Sequence, residues 1–211
     1  DDLSPVLSMS LGAGETTLLR LTTAYAMFVN GGKKIKPSLI DRVQNRNGKT
    51  LSKHDNRVCL NCNQDQWDET VDAKIVDNRD QLIDPVNAHQ IVSMLEGAVI
   101  RGTGKKVSVI KKPLAGKTGT TNESNDTWFI GFSPDLVVGI FVGFDTPKSL
   151  GPRETGASVA SPIFRDFMQL ALDNKEVPPF RIPSRAKFIK VNLKTGILAN
   201  KNDKNTILEY F

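Results

Sequence analysis

Hydrophobic residues recur at helical spacing in three stretches of the chain, each bounded by start and stop signals. The first follows Gly14-Glu15-Thr16-Thr17, sets Leu18, Leu21, Tyr25 and Phe28 along one face, and ends at Asn30-Gly31-Gly32, a glycine signal that closes many helices. The second starts at Asp84-Pro85, a capping carboxylate followed by a first-turn proline, and aligns Ile91, Met94, Leu95, Ala98 and Val99 before Arg101-Gly102. The third opens at Ser161-Pro162, presents Ile163, Phe164, Phe167, Met168 and Ala171, and closes at Asp173-Asn174.

The strongest strand pattern covers residues 128–132, turns at Ser133-Pro134-Asp135, and continues through the apolar run 136–144. That run is apolar at both parities, which predicts a strand covered by helices in front and behind. A further strand is expected over residues 114–121. Residues 38–43 and 50–52 flank Asn45-Arg46-Asn47-Gly48 and predict a hairpin; residues 188–193 and 197–198 predict another around Lys194-Thr195-Gly196. Residues 53–80 are polar, hold both cysteines and keep no period, and read as an exposed insertion. Pro178-Pro179 and Pro183 mark a linker. The expected organisation is a body over residues 1–175, with the insertion at about 53–80, and an appendage over 176–211.

The composition of the 211-residue chain, 39% hydrophobic and 24% charged, is that of a globular protein and excludes wholesale disorder. Its longest apolar stretch, 136–144, falls far short of the roughly 20 residues a membrane-spanning helix needs. The net charge is +5, but the lysine pairs Lys33-Lys34, Lys105-Lys106 and Lys111-Lys112 are scattered and no aromatic ladder interleaves them. Nucleic acid is therefore not an expected partner.

The chemically informative segment is Leu114-Ala115-Gly116-Lys117-Thr118-Gly119-Thr120-Thr121. On a strand it places Lys117 and Gly119 on one face and Thr118 and Thr120 on the other. Glycine there lets a ligand or another backbone come close. A nucleotide-binding loop would end in the same Gly116-Lys117-Thr118, but it requires a glycine at position 111, which is Lys, and a helix afterwards, where a strand is expected.

Lys117-Thr118-Gly119-Thr120, with Asn122 and the run from Asp126-Thr127-Trp128 through Ser133-Pro134-Asp135-Leu136, closely resembles the transpeptidase domain of class A penicillin-binding proteins. Lys-Thr-Gly is an established signature of the serine penicillin-binding enzymes, so this is a match to a known pattern. Leu11-Gly12-Ala13-Gly14-Glu15-Thr16-Thr17, Ala24-Tyr25-Ala26, Gly97 with Gly102-Thr103-Gly104, Thr155-Gly156 and Ser161-Pro162-Ile163-Phe164 agree in collinear order. The likeness runs over roughly residues 3–172. It implies an α+β fold, an antiparallel sheet covered by helices on both faces, here as a partial domain.

The resemblance also implies a reaction. A serine attacks the D-Ala-D-Ala bond of a peptidoglycan stem peptide, D-Ala leaves, and an amine of a neighbouring strand resolves the ester; β-lactams trap the same serine. By analogy Lys117 and Thr120 are catalytic, with the Thr120 N–H as one oxyanion donor. Thr118, Gly119 and Thr120 bind substrate, the two hydroxyls holding its carboxylate. No cofactor or metal is implied. The family's Ser-x-x-Lys and Ser-x-Asn elements lack counterparts in the right places. Ser108 to Lys111 sits just ahead of the Lys-Thr-Gly strand, Ser184 to Lys187 lies beyond it, and Ser124-Asn125-Asp126 has its asparagine one place early. The expectation is therefore a C-terminal part of a longer chain, inactive alone. The missing N-terminal half would carry the nucleophile, a glycosyltransferase domain and the only membrane anchor, at the periplasmic face of the inner membrane. In that compartment a Cys59–Cys62 disulfide is favoured over metal binding, for which two thiols and His54 are too few, and over free thiols. A non-catalytic module binding peptidoglycan or peptide carboxylates, and a D-Ala-D-Ala carboxypeptidase or β-lactamase relative, are the alternatives.

Overall fold

The computed structural model describes residues 5–12, 14–62 and 72–211. Its main elements in chain order are α1 (Leu18–Val29), β1 (Arg42–Gln44), β2 (Thr50–Lys53), β3 (Val58–Leu60), β4 (Lys74–Val76), α2 (Pro85–Arg101), β5 (Ala115–Thr120), β6 (Thr127–Phe132), β7 (Val137–Val142), α3 (Ala160–Ala171), β8 (Phe188–Asn192) and β9 (Thr206–Tyr210). They form two compact units, one made of Lys33–Leu82 and the other of the remainder.

In the larger unit β5, β6 and β7 make an antiparallel sheet in that order, with Thr120 opposite Thr127 and Thr127 opposite Val142. Side chains alternate across it. Phe129 faces α3, where its ring lies 4.7 Å from Phe164 in a cluster with Val107, Leu114 and Met168. Phe132, of opposite parity, meets Phe180, Val92 and Ala115, with Tyr25 and Phe28 of α1 beside them. The sheet is thus sandwiched between α3 and the α1–α2 pair. Burying each of the two strand phenylalanines contributes roughly 1.5–3 kcal/mol.

The starts of α1 and α2 follow the caps legible in the sequence, whereas α3 begins at Ala160, one residue before the expected Ser161, with Val159 at its cap and no side chain capping it. The Thr17 hydroxyl accepts from the Arg20 N–H at 3.2 Å, and an Asp84 carboxylate oxygen accepts from the Val86 N–H at 2.8 Å. The buried faces differ from the expected stripes. α2 buries Ala88, His89, Val92, Gly97 and Val99, while Met94 is 60% exposed. Its position between the sheet and the C-terminal hairpin, not its own periodicity, selects that face. On α3, Phe164 and Met168 are buried but Ile163 and Phe167 are about half exposed. α1 has no fully buried residue.

The C-terminal hairpin also departs from expectation. β8 pairs with β9, Val191 opposite Ile207, and residues 197–198 contribute only a single Val191–Leu198 bridge. The turn chemistry at Lys194-Thr195-Gly196 is local and real, with the Gly196 N–H donating to Asn192 C=O at 2.8 Å. Five ladder pairs with a later segment outweigh it. This tail packs on α2: His89 meets the Tyr210 ring edge-on at 4.5 Å, the Gln90 amide donates to Tyr210 C=O at 2.6 Å, and Arg185 pairs with Asp84.

The unit Lys33–Leu82 consists of two hairpins, β1–β2 and β3–β4. All the residues of these four strands are exposed, so polar contacts hold it instead of a core. Residues 63–71, part of the insertion expected from sequence, lie outside the described residues. Asp55-Asn56-Arg57 and Asp77-Asn78-Arg79 repeat the same tripeptide at the same end of the β3–β4 pair, because Val58 is opposite Val76. Each aspartate accepts from the backbone N–H and guanidinium of the arginine two residues on. Those arginine hydrogen bonds hold both carboxyls well below the usual carboxylate range. Cys59 and Cys62 are joined in this unit, their Cα atoms 5.7 Å apart.

Candidate active-site edge

β5 is an edge strand, and its backbone direction decides what it offers. The Thr121 N–H donates to Asp126 C=O at 3.0 Å. In an antiparallel ladder the bonded residues alternate, so Gly119 and Lys117 also turn their backbone groups to β6. The N–H groups of Thr118 and Thr120 therefore face the edge that, among the described residues, no strand covers. Thr118 C=O faces the same way and accepts from Lys117 Nζ at 2.9 Å, which brings the ammonium to that edge. Among the described residues Lys117 has no carboxylate partner.

The hydroxyls are held from two sides. Gly156 N–H donates to Thr120 Oγ1 at 3.0 Å, and the Thr103 and Thr118 hydroxyls lie 2.8 Å apart. Gly156 is stacked so closely on β5 that a Cβ there would stand 2.5 Å from Gly119 O and 2.5 Å from Trp128 O. On the opposite face Gly119 makes room for Trp128, whose Cβ lies 3.2 Å from where its own would be. The space left by the missing Gly119 side chain is thus bordered by Trp128, while the close backbone approach to β5 comes from the missing side chain of Gly156.

The edge gathers one ammonium, two outward N–H groups, the Thr120 hydroxyl engaged as an acceptor and the Thr118 hydroxyl paired with that of Thr103. A preorganised set of donors of this kind suits an anion, or an oxygen on which negative charge develops. Lys117, Thr118, Gly119 and Thr120 come together, as consecutive residues on one strand must. Cys59 and Cys62 belong to the other unit. Gly156 and Thr103 join the edge from afar; sequence reasoning met them only inside the resemblance, as Thr155-Gly156 and Gly102-Thr103-Gly104, with no role. The two displaced Ser-x-x-Lys pairs lie outside β5 in sequence. Ser108 donates to Lys105 C=O at 2.8 Å, and Ser184 is exposed in the tail. A cleft of about 510 Å³ lies in the Lys33–Leu82 unit, lined by Arg57, Arg79, Asn56 and Asn78 among others, and includes none of the β5 residues. Among the described residues no cluster of His, Cys, Asp and Glu is fit to hold a metal ion, and no helix is long and apolar enough to cross a membrane.

The family model described as the penicillin binding protein transpeptidase domain matches residues 4–169. The chain belongs to that family, as a partial transpeptidase region of the class A kind. It is 45% identical over 210 residues to penicillin-binding protein 1A of Rickettsia conorii, an alignment covering 98% of this chain and 26% of that protein. To penicillin-binding protein 1A of Neisseria gonorrhoeae it is 36% identical over 183 residues, 86% of this chain and 21% of that one. The crystal structure of penicillin-binding protein 1A from Haemophilus influenzae matches with a TM-score of 0.80 at 30% identity, over 99% of this chain and 34% of that chain. PonA1 from Mycobacterium tuberculosis matches at 0.63 and 23% identity, a likeness of fold. The α+β architecture is that of these domains, and the chain spans about a quarter of the length of the curated relatives it matches.

Proposed function

We propose that this chain carries the anion-binding wall of a peptidoglycan synthase that cross-links stem peptides by serine acyl transfer, with the serine and its base supplied by sequence beyond it. The observation that carries the reading is the β5 edge, where Lys117 Nζ and the Thr118 and Thr120 N–H groups converge beside two engaged hydroxyls. In the reaction a serine oxygen bonds to the D-Ala-D-Ala carbonyl carbon and gives its proton to the base. The Thr120 N–H stabilises the oxyanion, Lys117 lowers the potential for negative charge, and Thr118 and Thr120 hold the terminal carboxylate. The carbon–nitrogen bond breaks and D-Ala leaves as an amine that takes the base's proton; a neighbouring stem peptide's amine then attacks the acyl carbon, gives its proton to the base, and the ester C–O bond breaks as the serine oxygen recovers that proton. A β-lactam acylates the same serine. The working place is the periplasmic face of the inner membrane, where the Cys59–Cys62 pair is stable as a disulfide.

In the full-length protein Lys117→Ala abolishes acylation by a fluorescent penicillin with little change in thermal unfolding, since Lys117 is exposed. Thr120→Val retains the N–H and weakens capture by roughly 1.5–3 kcal/mol, the worth of a hydrogen bond to a charged group. Unchanged acylation in both variants refutes the roles assigned to Lys117 and Thr120; a full-length wild type that no penicillin acylates leaves a carboxylate-binding module in place of the enzyme. The chain alone gains no adduct by intact-mass spectrometry after excess penicillin; a single adduct on Ser108 or Ser184 would place the nucleophile inside it.

A further inference from the structure

Two glycines shape the turn after α2. The N–H groups of Gly102 and Gly104 both reach back to Ala98 C=O, at 3.2 and 3.0 Å. A Cβ at Gly102 would stand 2.9 Å from that oxygen, and one at Gly104 3.2 Å from it. Only residues without side chains bring the turn so close to the helix. The one side chain between them, Thr103, is exposed and directed at β5, where its hydroxyl meets that of Thr118 at 2.8 Å.

Proton counting gives this contact a meaning. A threonine hydroxyl has one proton to donate and two lone pairs to accept with. Whichever of Thr103 and Thr118 donates to the other, one proton of the pair stays available. Thr120 Oγ1 accepts from the Gly156 N–H, which leaves its own proton available too. Same-face positions two apart on a strand are separated by about 6.6–6.8 Å. The two oxygens of one carboxylate bridge that gap with a hydrogen bond at each end.

We propose that Thr103 is a specificity-determining residue which, with Thr118 and Thr120, completes a row of hydroxyls that reads the free carboxylate of the acyl donor. The proposal rests on the acyltransferase reading above. Thr103 either accepts from Thr118 and donates its own proton to the carboxylate, or donates to Thr118 and leaves the Thr118 proton for the carboxylate; both modes favour an anionic acceptor. A donor whose carboxylate is esterified has one oxygen blocked and no charge, and gains little from the row.

The test measures second-order acylation rates of the full-length protein with benzylpenicillin and with its methyl ester. Thr103→Val loses roughly ten- to a hundredfold with the free acid, in line with a hydrogen bond to a charged group, and less than about threefold with the ester. Thr103→Ser, which keeps the hydroxyl, stays close to wild type with both. Equal losses on acid and ester mean that Thr103 only supports the fold of the turn, and no loss on either means that it does nothing; each overturns the proposal. If Thr103→Val shifts the unfolding temperature, Thr103→Ala puts the same acid-to-ester ratio to the test without the branched methyl. A wild-type protein acylated by neither compound removes the acyltransferase reading, whereas a normal wild type with an unchanged Thr103→Val ratio removes this inference alone.

Discussion

Replacing Gly156 by alanine drives a methyl carbon to 2.5 Å from the carbonyl oxygens of both Gly119 and Trp128. Non-bonded atoms of this size settle near roughly 3.5 Å, so relief needs a movement of about 1 Å. The two oxygens cannot provide it, because Gly119 and Trp128 are partners in the β5–β6 ladder. The loop must lift instead. Two hydrogen bonds go with it, Gly156 N–H to Thr120 Oγ1 at 3.0 Å and Ser161 N–H to Gly156 C=O at 2.8 Å, the second anchoring the start of α3. Overpacking of this kind costs about 1–3 kcal/mol, and each lost hydrogen bond adds about 1 kcal/mol. A total of about 3–5 kcal/mol lowers the melting temperature of a chain this size by roughly 6–20 °C, at 2–4 °C per kcal/mol. Thermal unfolding followed by circular dichroism reads this directly. Thr120→Val is the control: it deletes the acceptor without a clash, and so falls by only a few degrees. A Gly156→Ala variant that melts no lower than Thr120→Val refutes the argument that backbone crowding holds the loop against the site.

Glu96 on α2 is half-buried, and burial pushes its carboxyl above the usual value while Arg101 pulls it partly back. A raised folded pKa means a contribution fully present at low pH and lost as pH rises through that pKa. Glu96→Gln therefore raises the melting temperature at pH 7–8 and makes progressively less difference toward pH 4; a pH-independent or negative effect contradicts this. The Cys59 and Cys62 thiols are unreactive to thiol titration in protein folded under oxidising conditions, and two appear after reduction; two reactive thiols beforehand, or stoichiometric zinc by metal analysis, rule the disulfide out.

Local chemistry made much of this molecule legible in one dimension. Thr17 and Asp84 cap helices because a side-chain oxygen beside the first free N–H groups acts within three residues. The apolar strand run announced helices on both sides of the sheet, and Lys117-Thr118-Gly119-Thr120 occupy consecutive strand positions whatever else the chain does. What stayed hidden depends on segments distant in sequence. Which face of α2 is buried follows from the sheet and a tail about 100 residues later, as the Arg185–Asp84 pair shows. The partner of β8 was missed because a glycine turn next to it is a strong local signal, whereas the ladder with Thr206–Tyr210 pays its loop-closure entropy only through the sum of five pairs. At the β5 edge the motif names the strand but not its outward direction. Hydrogen-bond register sets which N–H groups are free, and Gly156 and Thr103, 36 and 15 residues away from the threonines they hold, set which hydroxyl protons remain. Sequence determined which groups stand along the β5 edge; tertiary structure alone decided how they point, because hydrogen bonds across the fold use up some lone pairs and protons and leave the others open.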